Sequence, residues 1–210
     1  MNNQNIIRIF IFSIYSLIFI LCIISKLINN LNSKKVVIAG GPGTGKTTII
    51  NELKKRGFIC YDEISRQITL QARKEGIEQM FLTEPLLFSK KLLDGRIQQF
   101  NNAFKETEQV VFLDRGIPDV IAYMDYIGDT YPSHFTEACE NHKYDNIFVL
   151  APWQEIFTSD NERYENFEEA IEIHQHLLNT YKRFGYDLID VPFGKVETRA
   201  NFILESLNLQ

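Results

Sequence analysis

The chain has 210 residues, a formal net charge of -5 and 45% hydrophobic residues including 12% aromatics, which suits one α/β domain with an appendage and leaves no room for a second large domain. Residues 1–33 carry Arg8 and Lys26 and no acid, so the remaining 177 residues hold 20 basic against 27 acidic side chains, a balance that argues against a nucleic-acid partner. Cys22, Cys60 and Cys139 are odd in number and far apart, which argues against a disulfide frame or a zinc site and fits a reducing compartment.

The first feature in chain order is Ile9 to Ser25, a run of 17 uncharged residues bounded by Arg8 and Lys26. At about 1.5 Å per residue it would make roughly 25 Å of helix, a little short of a bilayer core, so residues 1–32 read as a hydrophobic N-terminal helix and a possible transmembrane anchor. Lys26, Lys34 and Lys35 outnumber Arg8, which predicts a cytoplasmic catalytic domain, 33–210, held at the membrane by a single span. Two other readings stand beside this one. The run could be a signal peptide, although no A-x-A-like site follows it, or upstream sequence translated from a start assigned too early.

Lys35 to Ala39 is a short apolar run that suits a strand buried on both faces. Gly40 to Thr47 then reads Gly-Gly-Pro-Gly-Thr-Gly-Lys-Thr, which fills the phosphate-binding template G-x-x-x-x-G-K-[ST] at every position. Backbone amides can converge on a polyphosphate only where side chains are absent, and Gly40, Gly43 and Gly45 supply those gaps. Lys46 is expected to reach the outer phosphates, and Thr47 to ligate magnesium at the start of a helix whose dipole favours anions. Thr48 to Arg56 is helix-compatible and stops at Gly57. Strand, loop and helix together are the context the template requires, and a Gly-rich turn with a chance lysine explains the pattern poorly.

The second predicted strand, Phe58 to Tyr61, is followed by Asp62, Glu63, Ile64, Ser65 and Arg66. If a helix starts here, Glu63 and Arg66 share a face toward the pocket, the carboxylate taking a proton from an attacking hydroxyl and the guanidinium clamping an anionic group. An exposed i,i+3 ion pair explains the same two residues equally well. Thr83-Glu84-Pro85 opens a helix carrying Leu86, Leu93, Ile97, Phe100 and Phe104 at helical spacing; its Lys90, Lys91 and Arg96 are further candidates for the acceptor wall, although a solvated helix face ordinarily explains such residues.

Val110 to Leu113 is four apolar residues ending in Asp114, which reads as the carboxylate of a magnesium nucleotide site opposite Thr47, the competing explanation being a helix-capping aspartate. Many ATP hydrolases place a water-activating Glu next. Here Arg115 and Gly116 follow, which favours holding a second, anionic or polar substrate over dedicated hydrolysis.

After the strand Ile147 to Leu150, seven acids fall between Glu155 and Glu172, with Arg163 as their one cation. Such a lid should be repelled by a triphosphate unless Arg163 enters on closure as an arginine finger; a surface pairing with Glu162 or Glu165 is the alternative. Asn166 and Glu169 open a helix that Gly185 closes, and His174 falls on its apolar stripe with Phe167, Ala170, Ile171, Leu177 and Tyr181, where a structural histidine is expected. The last strand is Leu188 to Val191. Strands alternating with helices predict a parallel sheet covered on both faces.

Together Gly-Gly-Pro-Gly-Thr-Gly-Lys-Thr, Phe-Leu-Asp-Arg-Gly-Ile-Pro-Asp, the stretch Ala-Pro-Trp-Gln-Glu-Ile-Phe-Thr-Ser-Asp-Asn-Glu-Arg-Tyr-Glu and Asp-Val-Pro-Phe-Gly resemble a family of small predicted ATPases. These carry an AAA-type domain label and are similar to the kinase domain of the bifunctional NAD regulator. The resemblance covers about residues 33–208. It implies a three-layer P-loop kinase-like fold with a five-stranded parallel sheet in the order 2-3-1-4-5. It also implies nucleotide contacts at Gly41, Pro42, Gly43, Thr44, Gly45, Lys46, Thr47 and Thr48, magnesium at Thr47 and Asp114, a lid arginine at Arg163, and the base near Asp190 to Lys195. The function expected is a magnesium-dependent, ATP-binding phosphotransferase with catalytic Lys46, Asp114 and Arg163, whose small-molecule acceptor lies between Glu63, Arg66 and Arg115. The alternative is a regulatory ATPase or GTPase switch whose lid is read by a partner. GTP stays open, although the guanine signature N-K-x-D is absent.

Overall fold

The computed structural model describes residues 33–77, 79–157 and 165–209. Five strands, β1 (Lys34–Gly40), β2 (Ile59–Tyr61), β3 (Val110–Asp114), β4 (Asn146–Leu150) and β5 (Leu188–Asp190), alternate with helices. The helices are α1 (Lys46–Lys55), α2 (Ser65–Lys74), α3 (Met80–Thr83), α4 (Pro85–Ala103), α5 (Ile117–Ile127), α6 (Ser133–Asn141), α7 (Phe167–Arg183) and α8 (Val196–Ser206). The sheet order is β2-β3-β1-β4-β5, as the family resemblance implies, and every neighbouring pair is parallel, as the alternation of strands and helices predicts.

Strand alternation divides the core into two layers. Val37, Ala39, Leu113, Ile147 and Val149 point to one face, where α4, α5, α6 and α7 cover them through residues such as Leu93, Ile121, Phe135 and Leu177. Val36, Ile38, Phe112, Phe148 and Leu150 point to the other, against Ile49, Ile50 and Leu53 of α1 and Ala200, Ile203 and Leu204 of α8. A strand apolar on both sides can only sit inside such a sandwich, which is why β1, β3 and β4 are central. Local chemistry places the helix ends. Asn166 Oδ1 accepts the Glu169 amide at 2.9 Å while Glu169 Oε2 accepts the Asn166 amide at 2.7 Å, a reciprocal cap that starts α7. Gly57 and Gly185, at φ +91° and +81°, follow α1 and α7 where a left-handed residue lets the chain turn back into the sheet.

Some sequence expectations shift. Phe58 and Val191 fall just outside the strands assigned to them, and Leu86 and Phe104 are exposed at the two ends of the α4 pattern. The expectation of a membrane-anchored chain is corrected: no helix among the described residues is long and apolar enough to cross a membrane. The 19-residue α4 approaches the necessary length but carries Lys90, Lys91, Asp94 and Arg96, which no hydrocarbon core would accept. Residues 1–32, with the run Ile9 to Ser25 and Cys22, lie outside the described residues.

In parallel sheets of this kind the crevice opens beyond the carboxyl ends of the strands, where connections leave a central strand in opposite directions. β1 is that strand, between β3 and β4. Gly40 ends β1, and Asp114 ends β3 in register with Ile38, so the glycine loop and the carboxylate meet at one rim.

Candidate active site

The loop from Gly40 to Gly45 leaves β1 and enters α1 in a conformation side chains would obstruct. Gly43 has φ +72°, and a Cβ there would lie 2.5 Å from Phe157 Cδ2; at Gly40 a Cβ would lie 2.8 Å from the Leu150 carbonyl oxygen. Thr44 Oγ1 donates to the Gly41 carbonyl at 3.0 Å and Thr48 Oγ1 to the Gly45 carbonyl at 2.8 Å, which ties the loop to itself and to the helix. Lys46 is buried, and its Nζ donates to the Gly41 carbonyl at 2.7 Å. Burial, joined by the charge of Arg115, lowers its pKa to about 8. Thr47 and Thr48 are exposed at the first turn of α1.

Beside the loop stands a network of opposite charges in which Arg96, Arg115 and Asp119 are buried and Glu63 is half-buried. Arg115 Nε lies 2.7 Å from Glu63 Oε1, and its Nη1 donates to the Gly40 carbonyl at 3.1 Å and lies 3.5 Å from Asp119 Oδ1. The Glu63 contact is an ion pair rather than an aligned hydrogen bond, since the Nε hydrogen finds no acceptor. Arg96, from α4, donates to the Gly116 carbonyl at 2.6 Å and lies 3.7 Å from Glu63 and 3.9 Å from Asp119. Asp119 Oδ2 accepts the Gly116 amide at 2.9 Å and the Tyr181 hydroxyl. Arg115 is at φ +73°, a left-handed backbone that costs a non-glycine residue energy and persists only where its surroundings fix it. A Cβ on Gly116 would lie 2.7 Å from the Tyr181 hydroxyl, so only glycine admits α7 this close.

The electrostatics follow from burial and pairing. Burial pushes the Glu63 carboxyl up, but Arg115, Arg96 and Lys46 outweigh it and hold it below its ordinary value. Arg115, despite burial, is held well above its ordinary value by Glu63 and the other acids. Burial raises Asp114 against the pull of Lys46. Its Oδ1 is buried with no hydrogen-bond partner, an arrangement that is costly unless another group arrives. Two oxygens, Asp114 Oδ1 and the Thr47 hydroxyl, could hold magnesium beside bound phosphates. Among the described residues no set of three His, Cys, Asp or Glu side chains could hold a metal ion.

A family described as AAA domain matches residues 35–199. The chain belongs to that family. The AAA-domain chain also shares its fold with several solved proteins, kinases among them. A NadR protein in complex with NR superposes with a TM-score of 0.67 at 18% identity over 87% of this chain and 54% of its own. Thymidylate kinase from Candida albicans gives 0.61 at 17% identity over 84% and 92%, and deoxyadenosine kinase from M. mycoides with bound dATP gives 0.57 at 18% over 83% and 99%. The chain thus spans about half the length of the NadR protein it resembles. No curated protein matches it in sequence.

Of the residues the sequence singles out in this AAA-domain chain, the loop, Asp114, Glu63 and Arg115 converge at one rim. Arg66 sits exposed in the first turn of α2, which begins only at Ser65, so Glu63 precedes the helix and faces Arg115 and Arg96. Arg163 lies outside the described residues. The capping aspartate is Asp119, not Asp114. His174 is buried, and burial lowers its pKa, as expected of a structural histidine. Of the two explanations the sequence offers for Arg96, the solvated helix face is excluded, since the residue is 4% exposed. Its spacing from Leu93 and Phe100, three and four residues away on the buried stripe, was the available signal. Asp119 and Tyr181 carried none, because a buried acid and tyrosine joined across 62 residues are invisible to local spacing. A cavity of about 450 Å³ beside β2, lined by Asp62, Gln67, Lys91, Gln98 and Gln99, opens on the opposite side of α4 and includes no residue of the loop.

Proposed function

We propose that this domain, 33–210, is a magnesium-dependent, ATP-binding phosphotransferase acting on a small molecule. Glu63 carries the reading: a half-buried carboxylate held by two buried guanidiniums at the rim of the phosphate loop. Arg115 and Arg96 keep it ionised, so it can accept the proton of an acceptor hydroxyl while both cations face the anionic product. No carboxylate occupies position 115 to activate water, and the cation there suits a held substrate.

The loop amides from Gly41 to Thr48, including that of Gly43 but not of Pro42, which has no N–H, would cradle the phosphates. Lys46, detached from the Gly41 carbonyl, would follow the outer ones. Thr47 and Asp114 would hold magnesium, which when bound supplies charge neutralisation at the phosphates. Arg163 is proposed to enter with the lid, and Arg66 to border the acceptor. The structurally similar proteins are a NadR protein in complex with NR, a thymidylate kinase and a deoxyadenosine kinase, which makes nucleoside-like compounds the first acceptors to try.

Phosphate release from ATP with and without a metabolite mixture tests the reading. Transfer of the γ-phosphoryl to a recovered metabolite, abolished in Glu63→Gln, is the expected result. Slow hydrolysis indifferent to metabolites, and unchanged by that substitution, would replace it with a nucleotide-dependent switch.

A further inference from the structure

Arg199 stands on α8, outside the motifs that define the loop, yet it reaches them. Its Nη2 donates to the Thr44 carbonyl at 3.2 Å. A Cβ on Gly45 would lie 2.9 Å from Arg199 Nη1 and 3.5 Å from Thr48 Oγ1, so guanidinium and hydroxyl flank the same corner of the loop. Arg199 is only 2% exposed. A cation so buried ordinarily meets a carboxylate, as Arg96 and Arg115 do. Arg199 makes no ion pair among the described residues, its Nε is buried without a hydrogen-bond partner, and burial alone lowers its pKa. The face of Trp153, 5.9 Å away and stacked on Phe193, adds only a weak attraction.

We propose that Arg199 is a nucleotide-binding residue whose charge is compensated by the inner, nucleoside-proximal phosphate of a nucleotide lying on the loop. The inference rests on the nucleotide-binding reading above and adds a division of labour to it. Lys46 Nζ stands at the Gly41 end and serves the outer phosphates, while Arg199 stands at the Gly45–Thr48 corner, where the chain of phosphates continues toward the nucleoside. An uncompensated buried cation is a cost the free protein bears, and an anion that neutralises it gains that energy on binding.

The full chain tests this directly, because Trp153 is its one tryptophan and reports occupancy by fluorescence. MgATP and MgADP are titrated into the parent, Arg199→Gln and Arg199→Lys, and each protein is melted without nucleotide. Arg199→Gln is expected to weaken both nucleotides at least tenfold, Arg199→Lys to keep most of the affinity, and the nucleotide-free melting temperature of Arg199→Gln to stay level or rise. Unchanged affinity in Arg199→Gln overturns the assignment. So does weakened affinity accompanied by a lowered nucleotide-free melting temperature in both variants, the signature of a structural brace. A parent that binds neither nucleotide would defeat the functional reading itself, whereas binding by the parent and Arg199→Gln alike defeats only the role given to Arg199.

Discussion

Replacing Asp119 by Asn should be among the most damaging conservative changes in the molecule. Asp119 is 1% exposed and lies 3.5 Å from Arg115 and 3.9 Å from Arg96 while accepting the Gly116 amide. Asparagine keeps the shape and one carbonyl oxygen but removes the charge, leaving two buried guanidiniums to share Glu63. Breaking a buried ion pair by removing one partner costs about 3–5 kcal/mol. An amide nitrogen turned toward the Tyr181 hydroxyl or a guanidinium adds an unmade hydrogen bond, a cost that overlaps with the first and does not simply add. For a domain of this size about 3–5 kcal/mol corresponds to a fall of roughly 6–20 °C in melting temperature. Urea unfolding followed by circular dichroism measures the loss, with an unchanged m-value showing that the unfolded state is unaffected. A loss below about 1 kcal/mol would mean that the network contributes little and that the left-handed backbone of Arg115 is fixed by something else.

Other outcomes follow from the same geometry. Lys46 titrates at about 8 in the folded chain against 10.5 when free, so the unfolded chain binds more protons between those values. The penalty, about 3 kcal/mol, is fully present below pH 8 and is relieved as pH rises toward 10.5; the stability difference between the parent and Lys46→Met should therefore shrink over that window in thermal melts. Gly43→Ala forces a side chain onto φ +72° and into the Phe157 ring, so it should lose about 1–2 kcal/mol from backbone alone, and Phe157→Ala in the same chain should recover only the part owed to the clash. Glu63→Gln should lower transfer by about 10²–10⁴ in turnover while MgATP affinity stays close to the parent's, and a loss confined to affinity would remove Glu63 from the chemistry.

Much of the fold was legible because its signals are local. The apolar run before Gly40, the loop template and the recurring strands at Val110, Ile147 and Leu188 each state their own structure, and a sheet buried on both faces has few ways to assemble. The position of Glu63 and Asp114 at the rim was legible for a related reason: residues that follow strand ends in sheets of this kind stand at the crevice. What escaped was long-range pairing. Arg96 looked like one more cation on a charged helix until Glu63 and Asp119 were brought against it from two other elements. Asp119 looked like the end of a motif, and its partner Tyr181 like one more apolar position on α7, until Gly116 let the two helices meet. Arg199 gave no signal at all, since its importance lies in the carboxylate it lacks. The expected membrane anchor rested on a local pattern of hydropathy in residues 1–32, which lie outside the described residues, and no described helix is long and apolar enough to cross a membrane.

The central claim is that magnesium-bound nucleotide is gripped at the head of α1 by loop amides and Lys46. Calorimetric titration of MgATP into the folded chain, beside Lys46→Ala, measures it most directly. The account predicts a saturable heat for the parent and a loss of about tenfold or more in affinity for the variant. A parent that gives no heat with ATP or GTP, or a variant that binds as tightly as the parent, would contradict it.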